Sequence, residues 1–231
     1  TNSGTDITSV VTVTTRTGTR EDGKPEISAI LVPAGTPGFI VEPAYDKLGW
    51  HASDTHGLTF DEARVPAANL LGERGSGFRQ FLATLDDGRI AIAALALGLA
   101  RACLEQSVAY ARERTAFGRP IGSNQGVAFP LADLDVAVEN STLLVYKAAA
   151  LKDAGADPAT VARAAARAKL YATEAAVSAT RVATQVFGGY GFVEEYPVAR
   201  FYRDAKILEV GEGTSEVQRL VLARALGLPV G

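Results

Sequence analysis

The chain has 231 residues, of which 47% are hydrophobic and 21% charged, and its formal net charge is -3. Because a domain commonly holds about 100 to 200 residues, this length suffices for one large domain or for one and a half. Acidic and basic residues are interspersed without a basic stripe, so the sequence disfavours a nucleic-acid partner. No run reaches the roughly 18 uninterrupted apolar residues of a membrane span, and the alanine-rich run 90–100 stops at Arg101.

The first part of the chain, up to about residue 69, has the pattern of short strands. Residues 7–15 are rich in Val and Thr and alternate weakly, which is typical of a half-buried strand. Three shorter apolar runs follow between Gly and Pro turns, at 27–32, 38–42 and 58–60. The pattern predicts an antiparallel sheet or part of a barrel. Strands and helices do not alternate here, so a parallel Rossmann-type sheet is disfavoured.

From Gly77 onward the apolar residues recur at steps of three and four, which predicts helices. Three long helices are expected, over about 77–114, 125–154 and 157–187. Asp157 is the predicted N-cap of the third, with Pro158 at its first position, and Gly188 and Gly189 end it. Pro130 either kinks the second helix or marks a later start. Long helices joined by short loops predict an up-down bundle.

The last stretch predicts a short helix over about 197–208, a glycine turn and a terminal helix to about Leu226. Ser215 and Gln218 have the spacing of a capping box, so Ser215 is the predicted N-cap. The expected fold is thus mainly α with a β part. We expect two domains: a partial antiparallel β-domain over residues 1–70 and a helical bundle over 71–231.

Cysteine and histidine usage predicts no metal site. Cys103 is the single cysteine and lies in an apolar helical pattern, which predicts a buried thiol and no disulfide or zinc framework. His51 and His56 fall in a loop without a cluster of carboxylates and histidines, and we expect both at the surface. The chain starts at Thr1 and contains no methionine, so we expect it to be part of a longer sequence.

The segment around Glu212 is the strongest candidate for a catalytic site. An acid between Gly211 and Gly213, ahead of a capped helix, can follow a tight turn that pushes its carboxylate into a cleft. The N–H groups at the helix start would make a site for an anion or a carbonyl oxygen beside it. A solvated turn glutamate is the alternative, and Glu216 suits the first helical turn by its charge alone.

Three other segments have two interpretations each. The glycine-rich segment 185–191 follows a helix, which excludes a dinucleotide fingerprint; it is either a helix C-cap or a surface approached by a flat ligand or another chain. The arginines in 112–119 either complement a helix end or pair with phosphate. Gly88 sits inside a helix, where Gly costs about 1 kcal/mol relative to Ala, so a close neighbour or a ligand is expected there.

Taken in order, these segments resemble the acyl-CoA dehydrogenase family over essentially the whole chain. The resemblance rests on Gly75-x-Gly-Phe78, Leu85-Asp-Asp-Gly-Arg89, Arg114-x-x-Phe-Gly118, Gln185-x-Phe-Gly-Gly-x-Gly191, Arg203-Asp-Ala-Lys206 and Glu212-Gly-Thr-Ser-Glu216. It implies three parts: an N-terminal helical domain, a central β-domain and a C-terminal four-helix domain. This chain would hold the later part of the β-domain and the whole C-terminal bundle.

The resemblance implies an enzyme, an FAD-dependent dehydrogenase that oxidises an acyl-CoA thioester between its α and β carbons. Glu212 resembles the family's base, which removes the α-proton while the β-hydride passes to the flavin, and its backbone N–H resembles a donor to the thioester oxygen. Some members carry the base just before the helix arginine, where this chain has Gly88, which favours Glu212. Asp86, Gly88, Arg89 and Gly213 resemble positions that line the acyl-CoA pocket.

Further positions resemble FAD contacts, namely Thr1, Arg114, Phe117, Gln125, Gln185, Gly188, Gly189, Thr214 and Glu216. In the family the arginine and the Gln-x-x-Gly-Gly segment reach the flavin of a neighbouring subunit. The resemblance therefore implies a homo-oligomer, a tetramer or a dimer, with shared FAD sites. It also implies electron-transfer flavoprotein as the electron acceptor, and a location in the bacterial cytoplasm or the mitochondrial matrix.

Substrate choice is less defined. Gly88 and the adjacent Arg-Ile resemble short-chain or branched-chain members, but His51 and Gly211 depart from common family residues. Without the remaining domains the substrate cavity would not close, so this segment alone is expected to be inactive. Alternatives are an acyl-CoA oxidase, a flavin monooxygenase and a non-catalytic helical assembly module; Glu212 argues against the monooxygenase, which needs no α-proton base.

Overall fold

The computed structural model describes residues 8–230, and its first part forms four strands. They are β1 (Val10–Thr19), β2 (Pro25–Pro33), β3 (Phe39–Ala44) and β4 (His56–Phe60). The strands pair as two separate antiparallel hairpins, β1 with β2 and β3 with β4. In the register of the first, Val13 lies opposite Ile30. The predicted antiparallel pairing is therefore confirmed, within two hairpins rather than one continuous sheet.

His56 corrects one expectation, because it is buried and only 7% exposed. It is the first residue of β4 and pairs with Ala44. Its Nδ1 lies 2.7 Å from the Glu42 carbonyl oxygen and its Nε2 lies 3.1 Å from Asp54 Oδ2. The prediction of a surface side chain was wrong since strand pairing, which the loop composition did not show, places the ring among these acceptors. His51 is exposed, as predicted.

Five α-helices follow: α1 (Gly77–Glu113), α2 (Gln125–Asp153), α3 (Pro158–Phe187), α4 (Pro197–Val210) and α5 (Ser215–Ala225). The predicted bounds of the long helices are confirmed to within about one residue at most ends, because strong periodicity and end signals agree there. Asp157 caps α3 as predicted, accepting a hydrogen bond from the Thr160 backbone N–H at 3.0 Å. Pro130 lies inside α2, so it does not mark a later start.

Short elements connect the long helices. A small hairpin, β5 (Thr115–Ala116) with β6 (Arg119–Pro120), joins α1 to α2. A 3-10 turn over Gly188–Phe192 follows α3, with Gly188 at φ 60°. Neither the hairpin nor the 3-10 turn was predicted as such, because two-residue strands and single helical turns carry little sequence periodicity.

The chain divides into two compact units, one ending at Thr84 and one beginning at Leu85. In the first unit, the start of α1 packs against β2, so closely that a Cβ on Gly77 would lie 2.4 Å from the carbonyl carbon of Ser28. The Leu71 N–H also donates to the Ala29 carbonyl at 2.9 Å. The first two turns of α1 thus belong with the strands. The domain boundary expected after residue 70 stays a prediction.

Within the second unit the long helices run alternately up and down. Arg101 of α1 donates to Thr142 of α2 at 2.9 Å, and Asp87 near the start of α1 forms an ion pair with Lys152 near the end of α2. These two helices are therefore antiparallel. Aromatic rings of Tyr110 and Phe187, with centroids 4.2 Å apart, bring the ends of α1 and α3 together. The predicted up-down four-helix bundle is confirmed.

The core of the bundle is rich in small residues. On α3, eight alanines are buried: Ala164, Ala165, Ala166, Ala168, Ala172, Ala176, Ala179 and Ala183. Small side chains allow neighbouring helices to approach closely and pack without voids. Cys103 of α1 is buried as predicted, with 0% exposure, and burial raises the pKa of its thiol to about 12.

Helix α1 is the one described helix that is long and apolar enough to cross a membrane. The mean hydropathy of its most apolar stretch of 18 residues is 1.4, and 33% of that stretch is buried. The core helix of a bundle meets the same criterion of length and composition. Here α1 contributes the buried Ala93, Ala96 and Ala100 to the helical unit.

Candidate active site

Glu212 occupies the turn between α4 and α5 in an unusual backbone conformation. Its φ is 55°, and that of the following Gly213 is 89°. The left-handed region costs a residue with a Cβ roughly 1–2 kcal/mol. Such strain persists where the surrounding structure holds the residue in place, and it is concentrated at functional sites. The predicted tight turn is present, and the surprise is that the acid itself, not only its glycine neighbour, is left-handed.

The Glu212 carboxylate lies directly against Gly88 of α1. A Cβ built on Gly88 would be 2.4 Å from Glu212 Oε2 and 2.7 Å from Glu212 Cδ. No larger residue fits at this position without moving the carboxylate. The close neighbour expected at this helix-interior glycine is thus the glutamate that the sequence singled out. The fold brings together two predicted site residues that are 124 positions apart in the sequence.

Asp86 and Arg89 lie on α1 close to Gly88. The Arg89 guanidinium donates from Nη1 to Asp86 Oδ1 at 2.6 Å, and Arg89 is only 6% exposed. Its Nε is also buried and has no acceptor among the described residues. A buried polar atom usually has a partner, so this N–H can serve a water molecule or a ligand. Asp87, the other acid of the segment, is exposed and bridges to Lys152.

Two fully buried polar side chains hold the Glu212 turn from its inner side. Lys169 of α3 donates to the carbonyl oxygens of Glu209 at 3.0 Å and Gly213 at 2.8 Å. Gln218 of α5 donates to the carbonyl oxygens of Glu212 at 3.2 Å and Gly213 at 2.8 Å. Burial lowers the pKa of Lys169, and the nearby Glu209 carboxylate opposes that effect. The contacts of Gly213 seen here are thus to the protein, through its carbonyl.

Lys169 was not among the predicted site residues, although the sequence carries a signal for it. It falls on the same helical face as the buried alanines of α3, four residues after Ala165 and four before Thr173, and all three positions are buried. A lysine at a core position of an amphipathic helix is unusual, because lysines are almost never fully buried without a partner. Periodicity could have located the residue, but only the tertiary structure supplies its acceptors.

The start of α5 corrects the predicted capping box. The N-cap is Thr214, whose Oγ1 accepts from the Val217 N–H at 3.4 Å, and Ser215 is the first helical residue. The Gln218 side chain reaches back to carbonyl oxygens instead of a cap N–H. The prediction was one residue late because Gly213 in its left-handed conformation ends the turn, leaving Thr214 extended at ψ 167°. The Oγ of Ser215 is buried without a partner among the described residues.

Thr214 and Glu216, two of the predicted cofactor contacts, therefore lie beside Glu212. Glu216 is exposed in the first turn of α5. A hydrogen bond from its own backbone N–H, and then one with the Thr214 side chain, lower the pKa of Glu216. Its carboxylate is thereby kept ionised and oriented at the helix start.

The other predicted cofactor contacts lie at the opposite end of the bundle, where α1 ends, α2 begins and α3 ends. They are Arg114, Phe117, Gln125, Gln185, Gly188 and Gly189. All six are exposed, and Phe117 is completely so, at 102%, in the loop of the β5–β6 hairpin. A cleft of about 490 Å³ opens here between α2 and α3, with Gln185 and Arg181 in its lining. Thr1 lies outside the described residues.

The predicted cofactor contacts beside Glu212 and those at the opposite end of the bundle are too far apart to bind the same end of one ligand within one chain. Gly88, next to Glu212, and Glu113, next to Arg114, are separated by most of α1. At a rise of 1.5 Å per residue, the 25 residue steps from Gly88 to Glu113 span roughly 38 Å. The described chain therefore has two separate surfaces of predicted site residues. Within residues 8–230 there is also no group of three or more His, Cys, Asp or Glu side chains that could hold a metal ion.

Fold and site together define a class of protein: an antiparallel β unit joined to an up-down four-helix unit, with a strained glutamate turn closing against a helix glycine. A family model described as "Acyl-CoA dehydrogenase, C-terminal domain" matches residues 75–227. The chain belongs to the acyl-CoA dehydrogenase family, as its six motifs predicted.

Similar proteins have related names. A protein of Bacillus subtilis named "Probable acyl-CoA dehydrogenase YngJ" is 52% identical over 216 residues, which cover 94% of this chain and 56% of that protein. The solved structure of butyryl-CoA dehydrogenase from Megasphaera elsdenii matches with a TM-score of 0.89 at 44% identity, covering 95% of this chain and 56% of that one. A structure titled for the electron transferring flavoprotein of Acidaminococcus fermentans matches with a TM-score of 0.90 at 41% identity, covering 96% of this chain and 57% of that one. The chain thus spans about half the length of the relatives it matches.

Proposed function

We propose that the protein containing this chain dehydrogenates an acyl-CoA thioester between its α and β carbons, with Glu212 as the base. The observation that carries the proposal is the position of the Glu212 carboxylate, held by a left-handed turn against Gly88, where any larger residue would displace it. The proteins to which this chain is similar are named acyl-CoA dehydrogenases, which supports the reaction class.

The chemistry requires a base that is already aimed. The proton on the α-carbon of a thioester is far too weakly acidic for a freely tumbling carboxylate, so the base must be fixed at hydrogen-bond reach before the reaction. The Glu212 carboxylate takes this proton, and the electron pair left behind forms the double bond as the β-hydrogen departs with its own pair. FAD, when bound, would supply the acceptor for that hydrogen and its two electrons. The Glu212 backbone N–H donates to the thioester oxygen and stabilises the negative charge that develops there.

The described residues fit a flavin cofactor. The Phe117 ring is uncovered and suits stacking against a flat ring system, and nothing lies within 4 Å of the positions that a Cβ on Gly188 or Gly189 would occupy. Arg114 carries the planar guanidinium that pairs well with a pyrophosphate, and so does Arg181 in the lining of the cleft between α2 and α3. We infer that Phe117, Arg114, Gln125, Gln185, Gly188 and Gly189 hold one end of FAD, and that Thr214 and Glu216 hold the flavin end beside Glu212.

The separation of these two groups supports an oligomer. Because roughly 38 Å of α1 lies between them, the two groups that meet one FAD molecule come from different copies of the chain. The function therefore requires a homo-oligomer with shared sites, a dimer at least and a tetramer if two such dimers pair.

The substrate is proposed to be a short acyl-CoA, enclosed on one side by Asp86, Arg89 and Gly213. The match to a butyryl-CoA dehydrogenase supports a short acyl chain. The electron acceptor is proposed to be an electron-transfer flavoprotein, which the match to a structure titled for such a protein supports. The enzyme would work in the bacterial cytoplasm or in a mitochondrial matrix.

Anaerobic addition of a panel of acyl-CoA thioesters to the intact, FAD-loaded protein tests the proposal. One or more short members should bleach the flavin absorbance. Glu212→Gln should slow this bleaching by about 10² to 10⁴-fold, the usual contribution of a general base, while FAD stays bound. Glu139→Gln, which removes an exposed carboxylate of α2, is the matched control and should behave as the wild type.

Three outcomes would contradict the proposal in different ways. Undiminished bleaching in Glu212→Gln removes Glu212 from the role of base. Rapid reoxidation of the bleached flavin by oxygen, with no need for an electron-transfer flavoprotein, identifies an acyl-CoA oxidase. An intact protein that takes up no FAD leaves a non-catalytic helical module.

A further inference from the structure

Lys169 is the largest fully buried side chain that the proposed chemistry does not use. Its ammonium group lies in a face of α3 made of alanines, with 0% exposure, and burial lowers its pKa. Within the described residues, no carboxylate comes close enough to Lys169 to form an ion pair. Its acceptors are the carbonyl oxygens of Glu209 at the end of α4 and Gly213 in the turn. Its hydrogen bonds thus go to backbone atoms at one place, the segment that carries Glu212, while the nearby Glu209 carboxylate opposes the effect of burial on its pKa.

Gln218 serves the same segment from the other side. It is also completely buried, and its Nε2 donates to the carbonyl oxygens of Glu212 and Gly213. The Gly213 oxygen therefore receives two donors, one from α3 and one from α5. A left-handed residue with a side chain persists only when its surroundings over-determine it, and Glu212 is such a residue. The hydrogen bonds from Lys169 and Gln218 together hold Glu212 in this conformation.

Fold stability by itself does not explain a cation at this position. Replacing a buried charged group by a well-packed apolar side chain of similar volume is often neutral or stabilising. Methionine would fill much of the space of Lys169 without the desolvation of an ammonium group. What methionine cannot do is donate to Glu209 and Gly213.

We propose that Lys169 and Gln218 are positioning residues, whose hydrogen bonds to the Glu212 and Gly213 carbonyl oxygens keep the Glu212 carboxylate aimed over Gly88. The inference rests on the proposed role of Glu212 as the base. Neither side chain contacts the substrate; both act through the backbone of the turn. Loss of either donor releases one side of the turn and lets the carboxylate move away from its reactive position.

The test compares Lys169→Met with the wild type in the intact, FAD-loaded enzyme. We expect the rate of flavin reduction to fall about 10- to 100-fold, since a displacement near 1 Å can cost that much. KM and the amount of bound FAD should change by less than about threefold, because binding residues are untouched. The kinetic isotope effect from deuterium on the α-carbon should increase, since proton removal becomes slower relative to other steps. Lys147→Met, which removes an exposed lysine of α2, is the matched control and should equal the wild type.

A second measurement follows the turn without relying on activity. Hydrogen exchange of the peptide covering residues 209–214 should be faster in Lys169→Met than in the wild type, with exchange in the centre of α3 unchanged. Gln218→Met should show the same pattern with Lys169 intact, and it carries the test if Lys169→Met does not fold. Failure of both variants to fold would assign the two residues to the fold and overturn a positioning role.

The remaining outcomes separate this inference from the proposed function. A wild type that no acyl-CoA reduces refutes the function and removes the inference with it. An active wild type with an equally active Lys169→Met refutes the inference alone. A rate loss that merely parallels lost FAD or lost folded protein, with an unchanged isotope effect, shows a structural role and also overturns the proposal.

Discussion

Replacing Gly88 by alanine should uncouple activity from stability. The new Cβ would lie 2.4 Å from Glu212 Oε2, whereas non-bonded contacts to carbon settle near 3.5 Å. The carboxylate must therefore retreat by about 1 Å, and a misplacement of this size can cost about 10²-fold in rate. The neighbour that moves is the end of a flexible side chain, so the fold survives. Alanine in place of a helix-interior glycine adds about 1 kcal/mol of helix propensity.

The assay measures kcat/KM for a reactive short acyl-CoA and the thermal midpoint of the same intact protein. For Gly88→Ala we expect kcat/KM to fall on the order of 10²-fold while the midpoint stays level or rises. Gly98→Ala is the matched control on the same helix, since nothing lies within 4 Å of its Cβ position. It should gain similar helix propensity and keep its activity. Wild-type turnover in Gly88→Ala would refute the argument that this glycine makes room for the base.

Two further predictions concern the core of the bundle. The buried Cys103 thiol, whose pKa is raised to about 12, should alkylate at pH 8 roughly 10³-fold more slowly in the native protein than after unfolding, because the thiolate is the reactive form. The same pKa shift predicts that the free energy of unfolding is constant below the ordinary pKa of a thiol. It should decline above about pH 9, where the thiol ionises in the unfolded chain only. Rapid alkylation of Cys103 in the native protein would contradict the predicted slow labelling and this pH dependence. Gly191→Ala would place a Cβ 2.3 Å from the Thr184 carbonyl oxygen and should destabilise by about 1–3 kcal/mol in a denaturant titration. The control Gly126→Ala has open space at its Cβ position and should not destabilise the protein. Equal denaturation midpoints for the two variants would show that the backbone at Gly191 moves freely.

The helices were predictable because their signals are local. Apolar residues at steps of three and four define α1, α2 and α3, and Asp157 with Pro158 marks a helix start that the structure reproduces. Each of these features depends on residues within a few turns of one another. Burial of Cys103 followed from the same periodicity, since its position in the apolar stripe decides which way the side chain faces.

Predictions failed where a distant segment decides the outcome. His56 was expected at the surface because its neighbours in sequence are polar, but its strand partner and the Glu42 carbonyl bury it. The N-cap of α5 was placed at Ser215 instead of Thr214, since the left-handed conformation of Glu212 and Gly213 is not visible in a capping motif. Composition describes a residue's chain neighbours, whereas burial depends on its neighbours in space.

In the candidate site, too, local features were predictable from the sequence and long-range contacts were not. Sequence alone singled out Glu212 between two glycines and the oddly placed Gly88, because both break the local pattern around them. Only the tertiary structure showed that the two meet, with Lys169 and Gln218 holding the turn from the buried side. Local propensity acts over a few residues, but an aimed carboxylate requires contacts among α1, α3 and α5, which are far apart in sequence and become neighbours only when the bundle packs.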